Sequence, residues 1–458
     1  MDAFFLDTDI KESDIPVYLV TDQTMGDVLK TLTEEQRAWV LTSGYEPDPG
    51  SHIVLPAPSG AAGAVLFATG EDKNGHEDPL LFGALPLLLP RGRYRLAETS
   101  QAAFLALAWT MGSYQFARYV KAAPRPVLAV PPSAELERSL NIAQGMYLAR
   151  DLVNTPANDM GPAELEAAAR KLGKAHGASL SVIEGDDLLA QNLPLVHAVG
   201  KSSPRAPRLI DMLWGKPDAP KITLVGKGVC FDSGGLDLKP SGPMALMKKD
   251  MGGAAAVLGL AGMVMRAKLP FRLRVLIPAV ENAVSGEAFR PGDIYPSRKG
   301  LSVEIGNTDA EGRLILADAL ALGDEENPDL LISLATLTGA ARVALGPDLP
   351  PFYTHDEALA HKIEDFAATS ADPVWRMPLW APYDNWLKST IADVNHITAQ
   401  PFAGSVTAAL FLNRFVERRT SYAHFDIFGW IPEARAARPK GGEAQAIRAI
   451  FGLLEGRA

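Results

Sequence analysis

A chain of 458 residues, 47% apolar and 21% charged, has the composition of an ordinary globular protein and the length for two or three domains. With 44 Lys and Arg against 54 Asp and Glu its formal charge is −10, and it holds no run of basic residues. Nucleic acid, whose binding needs a clustered cationic face, is therefore not an expected partner.

The N-terminal stretch carries Asp2, Asp7, Asp9, Glu12 and Asp14 and lacks the basic start and apolar core of a signal peptide. No apolar run approaches the ~20 residues that span a bilayer. The single cysteine, Cys230, excludes an internal disulfide framework and fits a reducing compartment. A cytoplasmic protein with no membrane association is the expectation.

Up to about residue 130, short apolar runs bounded by Gly, Pro and Asp predict strands at Val17–Val20, Ile53–Pro56, Ala64–Ala68, Leu85–Leu89 and Val127–Val130. Residues 101–120 read as a helix with Phe104, Leu107, Ala108, Met111 and Tyr114 on one face. These predict a small α/β domain over residues 1–133. A linking helix over 134–153 follows, with Ser133 as its N-cap and its end near Asn154-Thr155-Pro156. From 154 to 458 the pattern turns to βαβ. Strands are predicted at 222–225, 273–277, 301–305, 330–334 and 423–427, and helices from Pro162 and over 252–268, 313–322, 358–368 and 406–417. Alternating strands and helices imply a mostly parallel or mixed sheet covered by helices.

The stretch Gly306-Asn307-Thr308-Asp309-Ala310-Glu311-Gly312-Arg313-Leu314 joins a predicted strand to a predicted helix. Such loops at the carboxyl ends of strands are where α/β sheets bind ligands. Asn, Asp and Glu there are also ordinary capping residues. A second block follows the strand at 222–225. It runs from Gly226-Lys227-Gly228 through Asp232-Ser233-Gly234-Gly235 to Lys239-Pro240, with Asp250-Met251-Gly252-Gly253 ten residues on. Neither G-x-G-x-x-G nor G-x-x-x-x-G-K-[ST] is present, so a nucleotide site is not indicated.

If Asp232, Asp250, Asp309 and Glu311 all end strands of one sheet, four carboxylates share a crevice. Two unit charges about 5 Å apart at an effective dielectric near 20 repel by roughly 3 kcal/mol, so the group needs cations. Lys227, Lys239 and Arg313 could supply them as a buried salt-bridge network. Alternatively, two divalent ions about 3.5–4 Å apart could do so. Lys227 as a ligand would have to shed a proton, which costs about 4–5 kcal/mol at pH 7 and is recoverable from coordination. An oxygen-rich site with one nitrogen suits zinc, manganese, cobalt or magnesium alike.

The octapeptide Asn307-Thr308-Asp309-Ala310-Glu311-Gly312-Arg313-Leu314 resembles the signature of the cytosolic leucyl aminopeptidase family, dizinc hexameric exopeptidases. The Lys227 to Asp250 block matches at the family's spacing. Similarity extends through Asn154–Asn158, Leu334–Gly339, Trp375–Trp380 and Ala403–Phe411, covering about 150–429. The N-terminal third is similar only in size and α/β character.

What the resemblance implies is specific. Asp232 and Glu311 bridge two metals, zinc or manganese. Lys227 and Asp250 complete one shell, and Asp309 the other. Lys239 and Arg313 are the catalytic pair, and Met247, Thr336 and Gly339 line the substrate cleft. A metal-bridging hydroxide attacks the first peptide bond of a substrate with a free N-terminus, Lys239 stabilises the oxyanion, and a bicarbonate on Arg313 accepts the proton. A homohexamer is likewise implied.

Other residues offer less. None of the eight histidines sits in a metal-ligand motif, and His424 and Cys230 read as core. Trp375, Trp380 and Trp386 read as packing, and Ser233 lacks a nucleophile elbow. Phe428-Gly429-Trp430-Ile431-Pro432 and Lys440-Gly441-Gly442-Glu443 depart from the family near the specificity pocket. The rival from another class is a catalytically silent or DNA-associated scaffold of the same fold. The intact charged motifs and the acidic balance speak against it. A phosphoesterase fits poorly with an amine ligand and no histidine.

Overall fold

The β-branched and aromatic runs of the first third pair into a six-stranded sheet, as seen in a computed structural model that describes residues 4–97 and 99–458. Its strands are β1 (Leu6–Asp7), β2 (Ile15–Val20), β3 (His52–Pro56), β4 (Ala62–Ala68), β5 (Arg93–Leu96) and β6 (Val127–Ala129). They lie in the order β1-β6-β5-β2-β4-β3, parallel except where β3 meets β4. Helices α1 (Met25–Thr31), α2 (Glu34–Ser43) and α3 (Ala102–Ser113) accompany it. These residues, up to Ala143, form one unit together with Glu433–Lys440. Gln144–Pro432 and Gly441–Ala458 form the other.

Two expectations fail in the first unit. Residues 85–89 are not a strand: Leu85–Leu88 makes a helical turn after the 3-10 turn Leu81–Ala84. Pro86 lies in its first turn, where the missing N–H costs nothing. Helix α3 stops at Ser113 rather than 120, and residues 105–113 are buried on every side, not along one stripe. A helix this apolar all round belongs inside a core.

The chain reaches the second unit through α4 (Ala134–Asn154), whose first turn is capped by Ser133 Oγ accepting from the Leu136 amide at 3.1 Å. After α5 (Pro162–His176) comes the main sheet. Its strands are β7 (Ser179–Glu184), β8 (Arg208–Trp214), β9 (Lys221–Gly226), β10 (Gly228–Asp232), β11 (Arg272–Asn282), β14 (Leu330–Ala335), β15 (Pro351–Thr354), β16 (Trp375–Arg376) and β18 (Tyr422–Asp426). A parallel centre β18-β14-β9-β11 is flanked by antiparallel β15 and β8, so the sheet is mixed.

One irregularity sets the position of everything that follows. Strands β9 and β10 run in succession along the same side of β11, pairing with Arg272–Leu276 and then with Ala279–Asn282. Up to Gly226, β9 also pairs with β14. Beyond Lys227 the chain leaves β14, and a crevice opens at the carboxyl ends of β14 and β9, the kind of switch point where α/β sheets bind ligands. Helix α6 (Gly252–Arg266) packs on the face of β9 that shows Gly226, where a Cβ would fall 2.7 Å from Ala254 Cα. Helix α7 (Glu311–Asp324) lies on the face that shows Val225.

The strand predicted at 301–305 exists as β13 (Ser302–Glu304) but is not in the main sheet. It joins a separate sheet of β12 (Ile294–Pro296), β13 and β17 (Val394–Asn395), with β13 and β17 parallel. Helix α8 (Gly339–Leu345) follows β14, then α9 (Glu357–Thr369) and α10 (Gly404–Asn413), the last ending short of the predicted Glu417. Strands β19 (Trp430–Ile431) and β20 (Gly441–Gly442) pair before α11 (Ile447–Glu455). Trp386 stacks on Tyr383 as packing predicts, but Trp375 and Trp380 each expose 56% of their surface. No helix among the described residues is long and apolar enough to cross a membrane.

Candidate metal centre

Lys227 occupies the break between β9 and β10. Its backbone is held on both sides: its N–H donates to Leu334 O at 3.1 Å, and its carbonyl accepts from the Ala254 amide at 2.8 Å. The side chain is thereby aimed into the crevice, where Nζ lies 2.7 Å from Asp250 Oδ2 and 2.9 Å from Glu311 Oε1 and donates to Thr336 O at 3.1 Å. It passes directly over Gly312, and a Cβ there would fall 2.6 Å from Nζ. The glycine of the octapeptide is thus the space the lysine needs.

Asp232 ends β10. Its Oδ1 accepts from the Gly234 amide at 2.8 Å and from Asn282 Nδ2 at 2.9 Å, while Oδ2 lies 2.9 Å from Lys239 Nζ. Gly234 and Gly235 turn the chain in the left-handed region (φ +88° and +66°), which returns Lys239 to the crevice. Lys239 Nζ also pairs with Asp309 Oδ1.

Asp250 does not end a strand. It sits in a 3-10 turn, Met247–Met251, that leads into α6, and Oδ1 accepts from Thr336 Oγ1 at 2.7 Å. Asp309 and Glu311 likewise follow β13 of the small sheet, through the 3-10 turn Thr308–Ala310 into the first turn of α7. The expectation that all four acids end strands of one sheet is therefore corrected. The main sheet, a helix entrance and a second sheet each contribute.

The loop bearing Asp309 and Glu311 is clasped from far away in sequence. Asn282 Nδ2 donates to Thr308 O at 3.0 Å, and the Thr308 amide donates to Asp237 Oδ2 at 2.7 Å. His396, fully buried, accepts from the Gly306 amide at 3.1 Å through Nδ1 and lies 2.9 Å from Asn307 O through Nε2. Burial first, then the Arg313 charge, drives its pKa down to about 3, so it stays neutral. Arg313 donates to His396 O at 2.9 Å, its Nε has no partner, and it pairs with no carboxylate among the described residues.

The structure thus brings Lys227, Asp232, Lys239, Asp250, Asp309 and Glu311 into direct contact. Arg313 lies two residues along α7 from Glu311. Met247 opens the turn that carries Asp250, Thr336 bonds Asp250, and Gly339 begins α8 just beyond. Asn282 and His396 escaped the sequence reading, since no motif marks them and only the fold brings them close; Thr308 and Asp237 lie inside the two motifs but were given no role. Cys230 is buried, its thiol pushed up by burial. His424 is a core residue, 2.8 Å from Ser333 Oγ and stacked on Tyr353.

Charge in the crevice does not balance. Burial, then Asp232, pushes Glu311 well above the usual carboxylate range. The same causes push Asp309 up to about 6. Burial opposes the ammonium of Lys227, but Asp250, Glu311 and Asp232 outweigh it and raise its pKa. Asp250 is held low despite burial, chiefly by Lys227. Even so, Asp250 Oδ2, Asp309 Oδ1 and Glu311 Oε1 accept no well-directed hydrogen bond, having only a lysine at ion-pairing distance. Asp232, Asp309 and Glu311 each present an oxygen within 4.8 Å of the other two. Buried carboxylate oxygens that converge with fewer positive charges than their own number are what divalent cations fill, and the set fits them.

A crevice of converging, unsatisfied carboxylates at the switch point of an α/β sheet defines the class: a metal-dependent hydrolase. Residues 147–451 match the cytosol aminopeptidase family, catalytic domain, and residues 15–131 match the M17 aminopeptidase N-terminal domain. The chain belongs to the cytosol aminopeptidase family and is a metallo-aminopeptidase acting on peptides.

A probable cytosol aminopeptidase of Chlorobium limicola is 37% identical, with 91% of each chain covered. One from Syntrophotalea carbinolica is 44% identical over 70% of this chain and 65% of its own length. Among solved structures, the cytosol aminopeptidase of Coxiella burnetii superposes with a TM-score of 0.93 at 45% identity, covering 99% of both chains. The bottromycin maturation enzyme BotP in complex with Mn superposes with 0.86 at 31%, covering 97% of this chain and 99% of that one. The N-terminal third, similar to the family in the sequence only by size and character, is therefore a match to its N-terminal domain.

Proposed function

We propose that the crevice holds two divalent cations, zinc or manganese, and removes the first residue of peptides with a free N-terminus. Asp232, Glu311, Lys227, Asp250 and Asp309 would hold the pair. The observation that carries this is the set of three buried carboxylate oxygens whose only positively charged neighbours among the described residues are two lysine ammonium groups. Bound there, the cations supply Lewis acidity that acidifies water and polarises a carbonyl.

The chain's own residues do the rest. Lys239, anchored between Asp232 and Asp309, presents an ammonium to the scissile carbonyl oxygen and stabilises the negative charge that develops on it. Burial lowers Arg313 to about 10, yet its guanidinium stays charged at neutral pH and is fixed by the His396 carbonyl, a fit for a small planar oxyanion. Bicarbonate held there would supply the proton acceptor, because the crevice carboxylates would be taken up by the cations and the neutral ring of His396 is engaged by Gly306 and Asn307.

A homohexamer is our reading from likeness to the family. A one-chain mass in light scattering overturns it. A cytoplasmic location is our reading from the relatives' name and the single buried thiol, and fractionation tests it.

Hydrolysis of a panel of aminoacyl amides after chelation, and again after readdition of manganese or zinc, tests the centre. Turnover returns with two equivalents of metal per chain and is several-fold slower in carbonate-free buffer. Return at one equivalent overturns the pair, and equal rates without carbonate overturn the bicarbonate.

A further inference from the structure

Beside the acid cluster lies a second charged group that the centre does not use. Lys249, one residue before Asp250, is only 2% exposed. Its ammonium makes no hydrogen bond among the described residues. The nearest carboxylate oxygen, Asp250 Oδ1, is 4.0 Å away and already accepts from Thr336. The ammonium lies instead 5.2 Å from the centre of the Phe428 ring. Arg342 of α8 lies over the same ring at 4.5 Å, and its guanidinium donates to Thr338 O at 3.2 Å. It too pairs with no carboxylate among the described residues.

A buried ammonium and a half-buried guanidinium on one aromatic ring, with no carboxylate hydrogen-bonded to either among the described residues, are expensive as mere scaffolding. Buried charges are ordinarily paired, and a ring face recovers only part of the loss. Once Asp250 holds a metal, Lys249 has no counter-charge left.

The position of the group says what anion would fit. Gly429, next to Phe428, packs against Thr336, whose Cγ2 would lie 3.0 Å from a Cβ there. Arg342 Nη2 is 3.6 Å from where a Cβ on Gly339 would sit, and Met247 is two residues from Lys249. Phe428 and Arg342 are half-buried, so the group opens to solvent.

We propose that Lys249 and Arg342 make this a pocket for an anionic side chain, so that the enzyme releases N-terminal glutamate or aspartate in preference to their neutral counterparts. Phe428 offers its face to the methylene groups, and the two cations receive the carboxylate. This rests on the aminopeptidase reading and names the substrate class of that same site.

The test is the manganese-loaded enzyme acting on the α-amides of glutamate, glutamine and leucine. Glutamate and glutamine differ by a charge at nearly constant shape. The kcat/KM for glutamate exceeds that for glutamine by about tenfold or more. Arg342→Met and Lys249→Met each bring the ratio to about one, and Arg342→Lys keeps part of it. Should Lys249→Met lose all three activities through its neighbour Asp250, the ratio in Arg342→Met decides. A wild-type ratio at or below one, or variants that keep the wild-type ratio, overturns the pocket while leucine release leaves the aminopeptidase reading standing. Release of none of the three overturns both.

Discussion

Arg150 with Glu443, and Lys227 and Lys239 with four acids, are two buried ion networks of the same unit built to different ends. Arg150 and Glu443 are both buried and face one another. The guanidinium donates to Oε2 at 2.8 Å, and the Ala444 amide donates to Oε1 at 2.9 Å. Although burial opposes it, Arg150 holds Glu443 below its ordinary pKa. In the crevice, four acids face two lysines, three oxygens have only a lysine beside them, and Glu311 and Asp309 are pushed up rather than down. A network that serves stability is closed on itself. One that serves a ligand is left short of positive charge, and that deficit is the part of the structure that binds.

The sharpest way to break this comparison is to make the same substitution in each. Glu311→Gln lowers turnover by at least about a thousandfold yet does not lower stability measured in chelator, because it removes a charge the fold holds at a cost. Glu443→Gln lowers stability by about 3 kcal/mol, since it removes the carboxylate that balances the buried charge of Arg150. Equal losses in chemical denaturation would erase the distinction.

A smaller change tests the space rather than the charge. Gly312→Ala places a methyl where Lys227 runs and costs about 1–3 kcal/mol of stability. Metal affinity by calorimetric titration falls about 10–100-fold. Wild-type affinity would mean that the lysine is not a ligand.

The smallest effect is in pH. Asp309, raised from its ordinary 3.8 to about 6, is a group whose protonated form the fold favours. The stability it lends is full below about 3.8 and is lost as pH rises through about 6. In chelator the melting temperature therefore drops by about 2–5 °C across that window. Saturating manganese flattens or reverses the drop, since metal takes the place of the proton. A rise in chelator over the same range contradicts the direction of the shift.

Much of the centre was legible because its chemistry is local in sequence. The Lys227 to Asp250 block and the octapeptide each carry several groups at short spacing. What was hidden is what arrives from elsewhere. His396 and Asn282 hold the octapeptide in place from 89 and 26 positions away, as His396 Nε2 does with Asn307 and Asn282 with Thr308. The separate sheet of β13 was read as part of the main one, since a three-residue strand has the same signature in either. Leu85–Leu88 shows the usual ambiguity of a short apolar run, which Pro86 resolves toward helix.

The pairing of β13 with β17 has a consequence for a chain still being made. All five residues expected to grip metal have been synthesised by residue 311, but the strand and histidine that hold the last two come at 394–396. A growing polypeptide therefore carries all five of these side chains for more than 80 residues before the strand and histidine that space the last two are made.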